Sequence, residues 1–589
     1  MTLPRAGTHA RSARRPVPAL LALSLVAMLA LAPSMPGRLG LTDAAWVDRE
    51  YVRSQVAAAA SWCQQGLYRT EGRGQLVAGR LAGRDLAAIA EVAPLRVRHA
   101  GSQTTVTPTG AVALGADAYT NPLTVAALQA LSIDLGQGLL SFPLSTGEGA
   151  GVLNQYARAT TAALSAGASG AVSSSGAVDA RTQQPGSGLP DVASVNLRAL
   201  TGNLLDPAIS TAVADDVTDL TVRVGAVAAS STLDACIART PAVSTRSYGV
   251  ANLRLDATSR AVGALAGTAS TAVGVVQAGI GPTGSLASTL GTAVTGALNG
   301  VGALTAAVGL GAPRATLTVN ANLPAAVAPL LTQTLGADSA VQVELATGAV
   351  HVDLARLTNG TNGVNNLDPN SEILSPAVLD AATAQVAALL STWASQVSTT
   401  VTGALDAAST TLVVDIPLSA TVLGATTTIT TLRVTVAGSY ATLAAGSGAV
   451  TFQLVGGCTV TVTCAAVTAA LQLAGTPVLV ASAVGTTLRA VAQPGGLIGV
   501  LGSTLTTAVA GVTGSGGVLR ALFAGLPSVV SVQVNARPDV AQGLRPGLTV
   551  QPGEYAVSAL RVGLVDPARG AWIAFGSATA GPNLYTPPA

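Results

Sequence analysis

Lysine is absent from the 589-residue sequence, and all 30 basic residues are arginine. This absence excludes chemistry that depends on the lysine amine, such as Schiff-base formation or phosphate binding by a P-loop. Histidine occurs three times, and aromatic residues make up 3% of the chain. Charged residues account for 10%, against roughly 25% in ordinary soluble domains. Threonine, serine, asparagine and glutamine supply the polarity instead, and the hydrophobic share of 49% is ample for a core.

The small net charge of +2 depends on the start of the chain. Residues 1–44 carry five arginines and one acid, so the remainder has a formal charge near −2. Beyond them the arginines are scattered, and between Arg69 and Arg98 they alternate with acidic residues. This pattern is typical of a solvated surface of mixed charge, whereas nucleic-acid binding needs clustered positive charge. We therefore expect no nucleic-acid partner.

The first 44 residues are typical of an export signal. Basic residues up to Arg15 precede an apolar run at 19–32, which is shorter than the roughly 20 residues of a membrane-spanning helix. Small residues before Ala45 predict cleavage there, and cleavage after Ala32 is the alternative, which the following proline disfavours. If the leader is not cleaved, residues 19–32 become a membrane anchor. The protein is expected to be extracellular or at the cell surface.

Four cysteines lie beyond the leader: Cys63, Cys236, Cys458 and Cys464. An even number in an exported chain favours two disulfides. The segment between Cys458 and Cys464 alternates like a strand, and full extension would separate their Cα atoms by about 20 Å, beyond the ~7 Å that a disulfide allows. Either this segment bends into a loop or each cysteine pairs elsewhere. We favour a local bridge there together with a Cys63–Cys236 bridge. Zinc-site spacing is absent.

Hydrophobic periodicity predicts an elongated, β-rich α+β ectodomain, in which Ala-, Gly- and Thr-rich helices pack on twisted sheets. Residues 341–354 alternate on both sides of Thr347-Gly348 and predict a β-hairpin. Ser375-Pro376 supplies the N-cap and first-turn proline of a helix of about 30 residues. Residues 133–140 alternate and predict a strand.

A hydrophobic-Arg-Val pattern recurs in three predicted strands, around Arg223, Arg433 and Arg561. We interpret it as part of a helix-then-strand unit that is used more than once. The spacing of the copies is irregular, which argues against a regular solenoid.

The order of these patterns predicts four segments along the chain. They are a signal peptide or N-terminal anchor at 1–44, a β-rich domain at 45–255, helical segments with a β-hairpin at 256–410, and a β/α domain at 411–589.

Two long stretches, 261–313 and 434–488, contain no charged residue. Apolar residues in the first recur at three- and four-residue steps, as on one face of a helix. Gly296 and Gly300 have the GxxxG spacing that permits close helix pairing in membranes. Many threonines, serines and glycines favour packing in a soluble core. Membrane insertion or pore formation through the two stretches is the alternative.

Candidates for catalysis are few. Nucleophilic catalysis usually needs a base beside the nucleophile, and beyond the leader the histidines are His99 and His351. His351 lies in an alternating segment and is interpreted as a strand-surface residue, and His99, which follows Arg96 and Arg98, is interpreted as structural in the same way. The glutamates lack the aromatic-rich surroundings of a sugar-cleaving site. The loop at 359–372 is rich in oxygen ligands but lacks EF-hand spacing, and it fits a helix-entry loop. We therefore expect no catalytic residue, no cofactor and no metal site.

Short segments in order along the chain resemble the actinobacterial choice-of-anchor G family of exported surface proteins. They are Thr120–Leu123 with Ile133–Leu135, Asn154–Ala157, Gly167–Asp179, Thr347–Leu354, Leu367–Glu372, Ala559–Leu564 and Gly581–Asn583. The resemblance implies an ectodomain without enzymatic activity, which is followed in that family by diverse C-terminal anchors. Residues 584–589 contain no LPxTG motif, hydrophobic tail or basic tag. The expected alternatives are release, non-covalent wall association or a retained leader.

These patterns predict a secreted or surface-associated structural or adhesive protein. An uncharged surface rich in threonine, serine and glycine suits packing against cell-wall polymer or against further copies of the chain. Both are therefore expected partners.

Overall fold

The computed structural model describes residues 63, 67–81, 83–89, 92–115, 117–134, 138–144, 153–184, 189–201, 211–236, 242–422, 424–566 and 570–586. The predicted leader lies outside these residues. The chain is 37% helix and 35% strand and contains several antiparallel sheets, which confirms the predicted α+β class.

The strands are β1 (Tyr68–Leu81), β2 (Arg84–Asp85), β3 (Leu95–Ala100), β4 (Gln103–Thr107), β5 (Val112–Ala113), β6 (Ala118–Thr120), β7 (Leu140–Ser141), β8 (Asn154–Ala159), β9 (Leu164–Gly170), β10 (Ala193–Asn196), β11 (Val217–Val224), β12 (Val227–Asp234), β13 (Val243–Val250), β14 (Leu253–Ser259), β15 (Gly309–Leu310), β16 (Arg314–Val319), β17 (Thr334–Leu335), β18 (Val341–Glu344), β19 (Ala349–Asp353), β20 (Ser371–Glu372), β21 (Ser409–Val422), β22 (Ala425–Ser439), β23 (Ala449–Val455), β24 (Val530–Ala536), β25 (Tyr555–Leu564), β26 (Trp572–Ala580) and β27 (Leu584–Tyr585).

The α-helices are α1 (Val125–Asp134), α2 (Leu197–Thr201), α3 (Thr211–Asp216), α4 (Arg260–Gly279), α5 (Ser285–Asn299), α6 (Gly302–Thr305), α7 (Leu323–Leu331), α8 (Leu354–Asn359), α9 (Pro376–Asp406), α10 (Tyr440–Ala444), α11 (Thr461–Leu471), α12 (Thr476–Ala492), α13 (Leu497–Thr513) and α14 (Val518–Val529). Short 3-10 turns cover Leu86–Ala88, Ala180–Gln183 and Gly360–Asn362.

Two of the sheets pack face to face. One has nine strands in the order β20-β24-β25-β26-β1-β3-β4, with β2 and β27 also paired to β1. The other has six strands in the order β13-β12-β9-β8-β6-β5, and its β9 contacts both β1 and β26. The nine-stranded sheet combines strands from all three segments predicted beyond residue 44. Strands β14 and β21 run across the predicted boundaries at 255/256 and 410/411.

Small residues let the backbones of these two sheets touch. A Cβ atom added at Gly72 would lie 2.1 Å from the carbonyl oxygen of Ala166, and one at Gly167 would lie 2.0 Å from that of Arg73. Ser169 Oγ lies 3.0 and 2.8 Å from the carbonyl oxygens of Gln75 and Ser577 across the gap, and its single proton is shared between these two acceptors. The sheets are thus closer than the ~10 Å of sheets separated by large side chains.

The helices form the remaining layer, beside a seven-stranded sheet (β17-β18-β19-β14-β11-β10-β7) and a five-stranded one (β15-β21-β22-β23, with β16 on β21). Helix α9 contacts α7, α13 and α14 and buries ten side chains, from Leu379 to Leu405. Its Trp393 is fully buried, and the indole Nε1 donates to the Leu330 carbonyl at 2.9 Å. This apolar face lies in the main core.

Local signals predicted two of these elements correctly. Strands β18 and β19 form the hairpin at 341–353, and the hydroxyl of Ser375 accepts a hydrogen bond from the Val378 amide at the start of α9. The strand predicted at 133–140 is wrong in its first two residues, whereas Leu140 begins β7 and residues 135–137 lie outside the described residues. Ile133 and Asp134 end α1, because Val125, Leu128 and Leu131 form a helical stripe that is buried in the core.

Candidate functional site

The four cysteines form two disulfides, which confirms the expected disulfide bonding. Cys63 pairs with Cys236 and Cys458 pairs with Cys464, with Cα–Cα distances of 5.7 and 6.4 Å. This is the pairing favoured from the sequence, where the spacing argument left two alternatives open. The local bridge is possible because α11 begins at Thr461 and bends the segment. Disulfides indicate an oxidising, extracellular type of environment.

His351 lies in a charged cluster on the seven-stranded sheet. Its Nδ1 is 2.8 Å from Asp256 Oδ1, and its Nε2 is 3.5 Å from Glu344 Oε1. The hydrogen bond to Asp256 raises the pKa of His351, although partial burial opposes this. With a carboxylate facing each ring nitrogen, the imidazole is stabilised as a cation. A cation held in this way is poorly placed to accept a proton from a substrate.

His99 is buried among backbone partners. Its Nε2 lies 2.9 Å from the Gly101 carbonyl oxygen, and its Nδ1 lies 3.0 Å from the Thr104 hydroxyl. Since the carbonyl can only accept, Nε2 donates to it, and Nδ1 shares a hydrogen bond with the Thr104 hydroxyl. Both nitrogens thus have partners within the β3–β4 hairpin.

The oxygen-rich loop at 359–372 holds the 537–543 loop through hydrogen bonds, and we call this contact the clamp. The Asn370 amide donates to the carbonyls of Arg537, Val540 and Gln542 at 2.9–3.3 Å and accepts from the Arg537 amide at 2.7 Å. Glu372 accepts from Ser531 Oγ and the Val532 amide. Burial raises the pKa of Glu372, and these two hydrogen bonds oppose the shift. Within the described ranges, no cluster of three or more His, Cys, Asp or Glu side chains suits a metal ion.

A cavity of about 420 Å³ lies at the junction of β1, β25 and β26, and we name it the Arg561 cavity. Glycine backbone, one indole ring and charged side chains line it: Gly79, Arg80, Asp85, Gly547, Arg561 and Trp572. None of these residues was predicted as a site. The Arg-Val repeat marked Arg561, but only strand pairing shows what surrounds it.

Arg561 is 1% exposed, although it carries a guanidinium group. Its Nη2 donates to the Pro546 carbonyl at 2.5 Å. In the part of the chain that the structure describes, the buried Nε and Nη1 atoms have no hydrogen-bond partner. Burial lowers the pKa of Arg561 to about 10, while Glu372 opposes and Arg545 adds to this shift. A buried guanidinium with unmade hydrogen bonds is destabilising on its own and is stabilised by an anion.

The two uncharged stretches belong to the helical layer and the five-stranded sheet. Exposed threonines along these helices donate to the carbonyl four residues earlier: Thr289 to Ser285 at 2.9 Å and Thr486 to Ser482 at 2.9 Å, for example. Because the hydroxyl protons are used within the helix, the outer surface presents methyl groups and oxygen lone pairs, without charge. Large apolar side chains are also exposed between residues 462 and 479, with Val462 at 83% and Val478 at 65%.

Among the described residues, three helical stretches are long and apolar enough to cross a membrane, judged by length and composition alone. They are α4, α9 and the run Thr476–Val529, which comprises α12 to α14. Each of them packs in part against the core, through residues such as Val273 in α4 and Val397 in α9.

Residues 72–581 match a protein family described as a domain of unknown function, DUF8394, and the chain belongs to this family. No curated protein and no solved structure matches the chain. The matched region includes Arg561, the helical layer and most of the two packed sheets, while the first four residues of β1 and strand β27 lie outside it.

Proposed function

We propose that this chain is an exported structural or adhesive protein of the cell surface, without catalytic activity. The observation that carries the proposal is the uncharged outer surface of the helices, where hydroxyl protons are already bonded within each helix. Such a surface loses little hydration energy when it is covered, because no charge has to be desolvated. Wall polymer or another copy of the chain is the expected partner.

Two further observations support export. The disulfides are typical of oxidising compartments. The basic and apolar leader predicted at 1–44, together with the resemblance to choice-of-anchor G proteins, is consistent with the same destination. The carboxylates around His351 and the backbone partners of His99 support a structural role for both histidines.

Fractionation of native cells into medium, wall and membrane, with N-terminal sequencing, tests the location. A chain that begins near Ala45 in the medium or wall is the expected result. An intact chain in the cytosol contradicts export. A membrane-bound chain that retains residues 19–32 identifies the leader as the anchor.

Binding of the purified protein to isolated cell-wall sacculi, and its sedimentation equilibrium, test the partner. The double variant Thr289→Arg/Thr292→Arg places charge on the exposed α5 surface and should weaken whichever association occurs. Arg433→Gln removes a charge from the five-stranded sheet and serves as a control outside this helix surface. Absence of both wall binding and self-association contradicts the adhesive role.

A second candidate function is membrane insertion or pore formation through 261–313 and 434–488. It is favoured by the helices with the length and composition of membrane spans and by exposed apolar residues such as Val478. Flotation of the protein with liposomes tests it. Recovery in the lipid fraction supports insertion, and recovery only in the aqueous fraction excludes it.

A further inference from the structure

Three arginines occupy equivalent places in the repeated hydrophobic-Arg-Val strands, and two of them have carboxylate partners. Arg433 lies opposite Asp415 and forms two hydrogen bonds of 2.8 Å with it. Arg223 donates from Nε to Asp256 on the neighbouring strand. Both arginine side chains remain about half exposed, at 41% and 45%. Each pair thus neutralises its charge while part of the guanidinium stays in water.

Arg561 differs from both in burial and in partners. Its cross-strand neighbours are Gln533 on β24 and Ala574 on β26, neither of which carries a carboxylate. The adjacent Glu372 is bound by Ser531 and Val532 and lies 3.7 Å from Arg545. The most buried of the three guanidinium groups therefore has the least complete set of partners within the described residues, with Nε and Nη1 unbonded.

Glycine backbone and an indole ring form the walls of the Arg561 cavity. At Gly547, where φ is +120°, an added Cβ would lie 2.5 Å from Trp572 Nε1, so only glycine lets this loop rest on the indole ring. Gly79, with φ of +143°, brings a second stretch of bare backbone into the wall. The volume of about 420 Å³ is near the lower end of small-molecule sites, which span roughly 300–1,000 Å³.

Charges at the rim restrict which anion fits. Asp85 is exposed and lines the cavity, and Arg80, opposite it in the β1–β2 pair, is also exposed. A carboxylate at the rim opposes a doubly charged group such as phosphate more strongly than a singly charged carboxylate. A flat indole ring next to the cation further suits a ring-shaped ligand.

We propose that the Arg561 cavity binds a small, singly charged carboxylate ligand of about the size of a hexuronic acid, and that the ligand carboxylate accepts hydrogen bonds from Arg561 Nε or Nη1. This inference is independent of the adhesive role. It places a ligand site on the nine-stranded sheet of this chain, outside the uncharged helix surface.

Titration of the purified protein with D-glucuronate tests the proposal, with D-glucose as the neutral analogue and inorganic phosphate as the competing anion. Calorimetry measures the binding affinity. The NMR signal of the indole N–H of Trp572, one of four tryptophans in the chain, reports whether the ligand occupies the Arg561 cavity. We expect saturable binding of glucuronate with a Kd of about 1 mM or tighter, from the efficiency typical of small ligands. The Trp572 signal should shift, and glucose and phosphate should bind more weakly.

Arg561→Gln should weaken glucuronate binding by about tenfold or more, because a charged hydrogen-bond donor is lost. Arg433→Gln is the matched control, because it removes the equivalent arginine from β22, where Asp415 supplies the carboxylate partner. This variant should bind glucuronate as the wild type does. The proposal is overturned if glucuronate does not titrate, if glucose or phosphate binds equally well, or if Arg561→Gln binds normally.

If Arg561→Gln does not fold, Asp85→Asn provides a second test of ligand binding in the Arg561 cavity. Asp85 is exposed, and its Oδ1 caps the Leu86–Ala88 turn by accepting from the Ala87 amide, which asparagine can also do. Removal of this rim charge should tighten glucuronate binding about threefold. Unchanged or weaker binding in this variant overturns the assignment.

Discussion

His351 and Asp256 lie directly opposite each other on β19 and β14, with Nδ1 of the imidazole 2.8 Å from Oδ1 of the carboxylate. The second carboxylate oxygen of Asp256 accepts from Arg223 Nε. Burial acts to raise the pKa of Asp256, but the hydrogen bonds from His351 and Arg223 outweigh it, so the pKa is lowered. The pKa of His351 is raised by its bond to Asp256. His351, Asp256 and Arg223 therefore form a partly buried charge network that links the three neighbouring strands β19, β14 and β11.

The network should make the free energy of unfolding depend on pH in two separate pH ranges. The contribution of His351 is fully present below pH ~6.5 and is lost as the pH rises through its raised folded-state pKa. That of Asp256 is present above pH ~4 and is lost as the pH falls through its lowered pKa. His351→Gln should cost about 1–2 kcal/mol of unfolding free energy at pH 6 and less at pH 9.

Urea unfolding at pH 6 and pH 9 measures this difference. Asp415→Asn is the control, since the Arg433–Asp415 pair contains no histidine and its effect should be the same at both values. An equal cost of His351→Gln at both pH values would contradict the assignment of a charged imidazole.

Gly167→Ala should strongly destabilise the packed sheets. The new Cβ would lie 2.0 Å from the Arg73 carbonyl oxygen and 2.6 Å from that of Thr579, so the sheets would have to separate. We expect a loss of about 3 kcal/mol, at the upper end of overpacking effects. Gly267→Ala in α4 is the matched control, because its Cβ meets no atom outside its own helix within 4 Å. It should stabilise the protein by up to about 1 kcal/mol. Thermal unfolding compares the two, and equal effects would refute the tight sheet contact.

The two disulfides should contribute unequally to stability. Cys63 and Cys236 are 173 residues apart, whereas Cys458 and Cys464 are six apart. Since the chain entropy removed from the unfolded state grows with loop length, Cys63→Ala/Cys236→Ala should cost about 5 kcal/mol and Cys458→Ala/Cys464→Ala about 2 kcal/mol. Denaturant titration of both double variants measures the ranking. The reverse order would show that native-state packing of the local bridge outweighs loop entropy.

Asn370→Asp should destabilise the clamp on the 537–543 loop. Aspartate tolerates the positive φ of +60° but cannot donate the hydrogen bonds that the amide makes to Arg537, Val540 and Gln542. A buried carboxylate among carbonyl oxygens should cost about 3 kcal/mol or more. Asn366→Asp is the control, since Asn366 also has a positive φ, of +58°, but is exposed, and its cost should stay within about 0.5 kcal/mol. Chemical denaturation distinguishes them, and similar costs would argue against the clamp.

Several features were predictable because residues a few positions apart determine them. Ser375 and Pro376 begin α9, and Thr347-Gly348 closes the hairpin of β18 and β19, as local capping and turn chemistry predicts. The Cys458–Cys464 bridge was favoured from the sequence, but the reach argument left open whether the segment bends, and the helix that begins at Thr461 decides this. The start of the strand expected at 133–140 was wrong because Ile133 and Asp134 end the helix that begins at Val125.

The Arg561 cavity could not be predicted from short-range sequence patterns. The pattern of β25 is the same as that of the strands around Arg223 and Arg433, so the repeat alone predicts three similar arginines. Their difference arises from cross-strand neighbours: Asp415 faces Arg433, whereas Gln533 and Ala574 flank Arg561.

Composition and short-range pattern alone thus establish an α+β chain with sparse charge, uncharged helices and paired cysteines. The fold adds which distant segments meet: β1 lies beside β26, Gly167 touches Arg73, and a loop near residue 547 closes over Arg561. The physical reason is that strand pairing is satisfied by any neighbour with matching backbone hydrogen bonds. The choice among neighbours is made by packing between faces, and packing joins residues hundreds of positions apart.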